Sequence, residues 1–285
     1  MAPLAHAAAG GSEESPLPDT RAFLEEARRN LRSDRLLLEQ YTFTEKRTEK
    51  RLDGKGSVKK TKIETFEVYP SEEPGKMYRR LVARDGVPLS ASELAVEDRK
   101  QAERVEKKER KLAEEDAAAR AARLGKEEEE EREEQAVISE LYRMDDLVME
   151  GREWVDGRPT IVIAFTPRPD YKPVTEGGKI LQKLAGRAWL DEEDKQIVRI
   201  EARLIENLGV GPARVARLQK GATTYFSRRK VNDEIWLPVE ARFTGSAKVL
   251  LFFGGGIDAF FEYGDYKKFS VSTDETVDTN EAAPN

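Results

Sequence analysis

At 285 residues the chain has room for one large domain or two small ones, yet it has no cysteine and only one histidine, His6. That composition excludes disulfides, thiol nucleophiles, Cys-based metal sites and a His-based catalytic dyad. A formal charge of -6 argues against a nucleic-acid footprint, and no apolar run reaches the roughly 18 residues a membrane helix needs.

Residues 1–18 are rich in Ala, Gly, Ser and Pro, show no periodicity and read as a disordered tail. Ala5-His6-Ala7 has the small-x-small form of a signal-peptidase site, but no basic start or long apolar stretch precedes it. A cropped export signal and a plain Ala-rich tail therefore both stand. Residues 19–33 read as an amphipathic helix, capped by Asp19 or Thr20, with Phe23, Leu24, Ala27 and Leu31 near one face. Residues 41–70 follow as a hairpin turned at Asp53-Gly54-Lys55-Gly56, and its charged arms suit a sheet margin or the wall of an open cavity. Residues 77–83 form a third strand that ends at Asp85-Gly86.

Residues 90–135 break this pattern with long stretches of Ala, Glu, Lys and Arg and no proline. Val105, Leu112 and Ala119 recur every seven residues, but the second heptad position is mostly charged, so a coiled-coil seam is thin. Two readings stand: a solvated helical excursion held by pairs such as Glu103 with Lys107, or a helix that binds a partner. The acidic run 127–134 has no turn geometry or histidine to fix ligands, so no metal site is expected there. Residues 138–144 read as a helical return.

Residues 146–168 are a second hairpin, turned at Asp156-Gly157, with Ile161, Ile163 and Phe165 on one face and Pro167, Pro169 and Pro173 ending it. Residues 179–184 read as a short helical turn whose Ile180, Leu181 and Leu184 form a small lid or plug. In 186–205, Val198, Ile200, Ala202 and Leu204 alternate with Arg199, Glu201 and Arg203, behind a partner strand at Ala188-Trp189-Leu190. Residues 215–229 and 234–244 pair through Asn232-Asp233, with Ile235, Leu237, Val239, Ala241 and Phe243 on one face and Trp236 on the other. Residues 248–253 and 257–270, around Gly254-Gly255-Gly256, form the last pair before a tail at 273–285.

This amounts to about ten strands joined by hairpin turns, and the lack of strand–helix–strand alternation excludes a parallel doubly wound sheet. Catalytic spellings are weak. Ser57-Val58-Lys59-Lys60 matches S-x-x-K but opens a strand and lacks the companion motifs. Gly254 to Gly256 lack a following Lys-Ser/Thr, and the acids of 191–194 form a solvated turn. No enzyme activity, cofactor or metal is expected. The stretch 249–261, VLLFFGGGIDAFF, is either two buried strand ends or an apolar edge that makes transient contact with a membrane surface.

The N-terminal helix, the long charged strands, the hairpin GRAWLD (186–191) with QIVRIE (196–201), and the closing EYGDYKKF (262–269) together resemble the periplasmic outer-membrane lipoprotein carrier superfamily, the LolA/LolB/RseB-like proteins. The resemblance covers roughly 19–272, as a single domain apart from 90–135, which the carriers lack. It implies a mainly β fold: a curved antiparallel half-barrel with helices on the concave side, plus here the long charged excursion. It further implies an exported, periplasmic, non-enzymatic protein, its signal peptide cropped or removed, that carries or senses lipid or lipoprotein acyl chains in outer-membrane biogenesis. The missing cysteine speaks against a lipid-anchored acceptor. The alternation nominates Trp189, Val198, Ile200, Leu204, Ile235, Leu237, Phe243 and Phe261 as cavity lining, although alternation does not separate cavity from filled core. The alternative is an envelope interaction module that takes a protein partner through the charged helix, with the half-barrel as scaffold.

Overall fold

The computed structural model describes residues 16–30, 38, 40–71, 77–210, 216–249 and 252–269. The expected tails, except 16–18, lie outside the described residues, as do Ala5-His6-Ala7, Leu31, and Leu250 and Leu251 of the apolar edge. The chain is mainly β, about 50% strand and 29% helix, in one antiparallel sheet that does not close.

The hairpins form where the turn chemistry places them. Asp85-Gly86, Asp156-Gly157 and Asn232-Asp233 all carry two successive positive φ values, the left-handed pair that matches strand twist, in two-residue loops for the first two and a three-residue loop for the third. They join β3 (Met77–Arg84) to β4 (Val87–Pro88), β5 (Asp145–Val155) to β6 (Arg158–Pro167), and β11 (Thr223–Val231) to β12 (Ile235–Val249). Asp53 closes the turn between β1 (Tyr41–Leu52) and β2 (Val58–Pro70) by accepting from the Lys55 and Ser57 amides at 2.8 and 2.9 Å. The remaining strands are β7 (Leu184–Asp191), β8 (Ile197–Leu204), β9 (Leu208–Val210), β10 (Ala216–Leu218) and β13 (Phe252–Lys268). Thirteen strands form where about ten were expected, because β4, β9 and β10 have only two or three residues each and are too short to show alternation.

The strand order is β4-β3-β2-β1-β13-β12-β11-β8-β7-β6-β5, with β9 and β10 continuing beside β12. The two ends of this main order are thus β4 and β5, which are consecutive in sequence. What joins them is the charged segment, now α2 (Ala91–Ala113) and α3 (Ala117–Met144), roughly 35 and 42 Å long at about 1.5 Å per residue. The segment expected as an excursion with a separate return is therefore a two-helix connection from one end of that order to the other, and its second helix runs unbroken to β5. Ser90 and Glu93 form a capping box at its start, and Asp116 caps α3 by accepting from the Ala119 amide at 2.7 Å. Helix α2 buries none of its residues and is held beside β3 by Arg80–Asp98 at 2.7 Å and Arg84–Glu97 at 3.2 Å.

Helix α1 (Thr20–Asn30) starts where Asp19 accepts from the Ala22 amide at 2.9 Å. It buries Phe23 and Ala27 against Ile161, Ile163 and Leu190, with Leu24 packed beside them. The expected amphipathic face is the one that docks.

Candidate functional site

Residues directly opposite in an antiparallel ladder share a face, so the registers define rows across the sheet. One row runs Arg84, Glu64, Arg47, Phe261, Ala241, Phe226, Ile200, Ala188, Ile163, Met149. The row beside it runs Glu49, Ala259, Phe243, Thr224, Ala202, Gly186, Phe165, Leu147. Helix α1 sits on this face at the Ile163 end. The opposite end is charged. Between them Phe261, Ala241, Phe226 and Ile200 stay half-buried on four adjacent strands.

The charged end is built around Glu45, 1% exposed, which accepts from Arg47 and, at 2.9 Å, from Arg79 Nε. The Arg47 guanidinium lies 4.8 Å from the Phe66 ring centroid and 5.8 Å from that of Phe261. One carboxylate is thus shared by two guanidiniums at the border of the apolar row, with Glu64 opposite Arg47 on the next strand.

The eight residues nominated for the cavity do not share one surface. Ile200 and Phe261 fall in the first row and Phe243 in the second. Leu204, opposite Leu184, is on the same face but buried. Ile235 and Leu237 are core, packed with Tyr41 against Val231 and Tyr266. Trp189 and Val198 turn to the other face, where they bury with Val155, Val162 and Trp236. Trp189 is there by plain alternation with Ala188 and Leu190, whereas Val198 is carried there by a β-bulge: Trp189 opposes Arg199 but Leu190 opposes Ile197, so Val198 is an extra residue and the alternation breaks there.

That second face is roofed by polar groups. Trp189 Nε1 donates to Glu153 at 2.8 Å and Trp236 Nε1 to Asp194 at 2.9 Å, while Arg199 and Arg158 lie over the two indole rings. Burial opposes the charge on Asp194, but Lys230, Trp236 and Arg158 hold its carboxyl below the ordinary value. Arg158 also clamps Asp191, which is fully buried.

The lid expectation needs revising. The short helix α4 spans Glu176–Leu181 and contains Ile180 and Leu181, but Leu184 is the first residue of β7 and belongs to the sheet. Nor is α4 loose. Glu140 of α3, 0% exposed, accepts from the Val174 amide at 2.7 Å, the Thr175 amide at 3.3 Å, the Thr175 hydroxyl at 2.5 Å and the Tyr171 hydroxyl at 3.2 Å. Burial works against its charge, and these four donors more than reverse the effect, so its pKa lies below the ordinary value. A Cβ on Gly178 would sit 2.3 Å from Glu140 Oε2, so glycine is needed for this close approach. Glu45, Phe226 and Glu140 escaped the sequence reading. Only Phe226 left a signal, as an aromatic residue within the strand expected at 215–229, since the two glutamates gain their partners from distant segments.

No family model matches the chain, and no curated protein matches its sequence. Solved structures to which it is similar include a DUF1329 family protein from Desulfovibrio piger, at 11% identity and TM-score 0.32 over 87% of this chain and 92% of that one. Another is a putative outer membrane lipoprotein-sorting protein domain from Vibrio parahaemolyticus, at 10% identity and TM-score 0.32 over 86% and 90%. A LolA superfamily protein from Nitrosomonas europaea matches at 11% identity and TM-score 0.28 over 90% and 96%. The last of these carries the name of the superfamily that the sequence resembles. At such TM-scores the likeness carries nothing about cargo or partners, and this chain's own residues have to supply both.

Proposed function

We propose that the chain, as a single domain over 19–272, is a non-enzymatic carrier or sensor of the bacterial envelope, exported to the periplasm, that holds lipid or lipoprotein acyl chains against its helix-covered face. The observation that carries this reading is the half-buried row Phe261, Ala241, Phe226 and Ile200, continuous over four strands and only partly covered by the chain itself. At about 4.8 Å between strands the strip is roughly 14 Å long. Each methylene moved onto it from water gains about 0.8 kcal/mol, so ten of them gain roughly 8 kcal/mol before ordering and association costs reduce the total. Among the described residues no helix is long and apolar enough to cross a membrane, which suits a protein that meets lipid at this face.

The test is to purify the protein from bacterial envelopes, analyse bound lipid by mass spectrometry, and titrate the emptied protein with a fluorescent fatty acid. Wild type should carry acyl lipid and bind the probe, and Phe226→Arg should do neither while keeping its far-ultraviolet spectrum. A wild type that is empty and indifferent to the probe would refute the reading.

One observation favours a second reading, an interaction module: α2 buries no residue and so leaves a long charged surface open. Deleting 91–134 is a poor test, because those helices join the two end strands of the sheet's main order. Charge reversal at Lys107, Lys108 and Lys111 is better. Loss of partner capture with acyl binding intact would favour the module.

A further inference from the structure

Away from the acyl-facing row, a pocket of about 400 Å³ opens between α1 and the junction of α3 with β5. Leu24, Tyr142 and Leu147 give it an apolar wall, and Arg21, Arg28 and Arg168 reach into it. Asp145 also lines it, 3% exposed, with its Oδ1 sealed from solvent and without a hydrogen-bond partner. A buried carboxyl oxygen with no donor is uncommon in a folded protein and asks for an explanation.

The charges around the pocket sort themselves. Arg21 pairs with Glu25 at 3.3 Å and Arg168 with Asp146 at 2.9 Å. Arg28, exposed on α1, has no ion-pair partner among the described residues. Among the described residues, then, one unpaired guanidinium and one carboxyl with an unpartnered oxygen share a single, partly apolar pocket.

We propose that this pocket binds an aminoalkyl phosphate, its ammonium donating to Asp145 and its phosphate accepting from Arg28. The planar fork of a guanidinium matches two phosphate oxygens, and an ammonium brings three donors to a carboxyl that has none. The same chemistry exists free in solution and as a lipid head group. Binding needs Asp145 ionised. Burial first, then the neighbouring Asp146 charge, push its pKa up to about 6, with Arg168 opposing. Tyr142, raised to about 12 by burial against the pull of Arg28, stays neutral, and Glu25 remains paired with Arg21.

The experiment is calorimetric titration of the full chain with O-phosphoethanolamine at pH 7.5. Saturable binding is expected, with inorganic phosphate and ethylamine each at least tenfold weaker. Arg28→Gln and Asp145→Asn should each lose at least tenfold. Wild-type affinity should fall about tenfold between pH 7.5 and 5. Sedimentation with vesicles then separates the sources. Capture by phosphatidylethanolamine but not phosphatidylcholine, whose head group has no N–H, identifies a lipid head group. Binding of the soluble compound alone identifies a free zwitterion, and either result supports the site. Phosphate binding as tightly as phosphoethanolamine, no saturable binding in any form, or unchanged affinity in Arg28→Gln would overturn the proposal. Arg28 is exposed, so its variant carries the test if Asp145→Asn fails to fold. Phe226→Arg leaves this pocket untouched, so failure here and failure of acyl loading are read separately.

Discussion

The two faces of the sheet dispose of their apolar side chains by different means. On one face Trp189, Trp236, Val155, Val162 and Val198 are buried under a roof of ion pairs and indole hydrogen bonds built from strand ends and turns. On the other, α1 seals Ile161, Ile163 and Leu190 but leaves Phe226, Ile200 and Phe261 half-covered on neighbouring strands. A short-range polar roof completes itself from residues already on the sheet. A helical cover reaches only as far as its own length, and what lies beyond it is left for something else to touch.

This contrast can be broken or sharpened by substitution. The largest stability loss is expected on the sealed face: Trp189→Ala should cost about 3–5 kcal/mol in urea unfolding, through the cavity it leaves among Val155, Val162, Val198 and Trp236. Acyl-probe affinity should survive it. Next comes the α3–α4 weld, where Glu140→Ala leaves four donors without their acceptor and should cost about 2–3 kcal/mol. Hydrogen exchange should then quicken at the 171–181 amides before it does in the sheet. In the half-covered row the ordering inverts: Phe226→Ala should cost only about 1 kcal/mol of stability while weakening acyl-probe binding at least tenfold. Equal stability losses at Trp189 and Phe226 would mean that the two faces are sealed alike and that the open row is core.

The remaining handle is a slope in pH. Glu140 has a folded pKa below its ordinary value, so its contribution is present at neutral pH and is lost as pH falls through the acidic carboxylate range. Asp145 acts in the opposite sense. Its pKa is raised from 3.8 to about 6, so its contribution is complete below pH 4 and disappears as pH rises through 6. Urea midpoints measured from pH 4 to 8 should show this decline in wild type, and Asp145→Asn should flatten it. An unchanged slope in the variant would mean that Asp145 titrates normally.

Much of the architecture was legible because it is local. Asp-Gly and Asn-Asp pairs declare hairpins, Asp19 and Ser90 declare helix starts, and Phe23 with Ala27 declares a docking stripe. The site was only partly legible. Ile200, Phe243 and Phe261 do lie on one face, but the same alternation that named them also named Val198, because a bulge is invisible to a period of two. Trp189 was misassigned for a related reason, since its apolar character says nothing of which face holds a Glu153 to receive its N–H.

The sequence alone determined the class of the protein: an antiparallel sheet of hairpins with an amphipathic helix ahead of it and a charged helical segment within it, and no cysteine for thiol chemistry. Only the tertiary structure decided that this charged segment joins the two end strands of the main order, that Glu45 gathers Arg47 and Arg79, and that Glu140 locks α4 in place. The physical reason is range. Turn and cap preferences act over a few residues and are written in the chain, whereas strand order and buried charge pairing depend on segments tens of residues apart that meet only when the sheet is assembled.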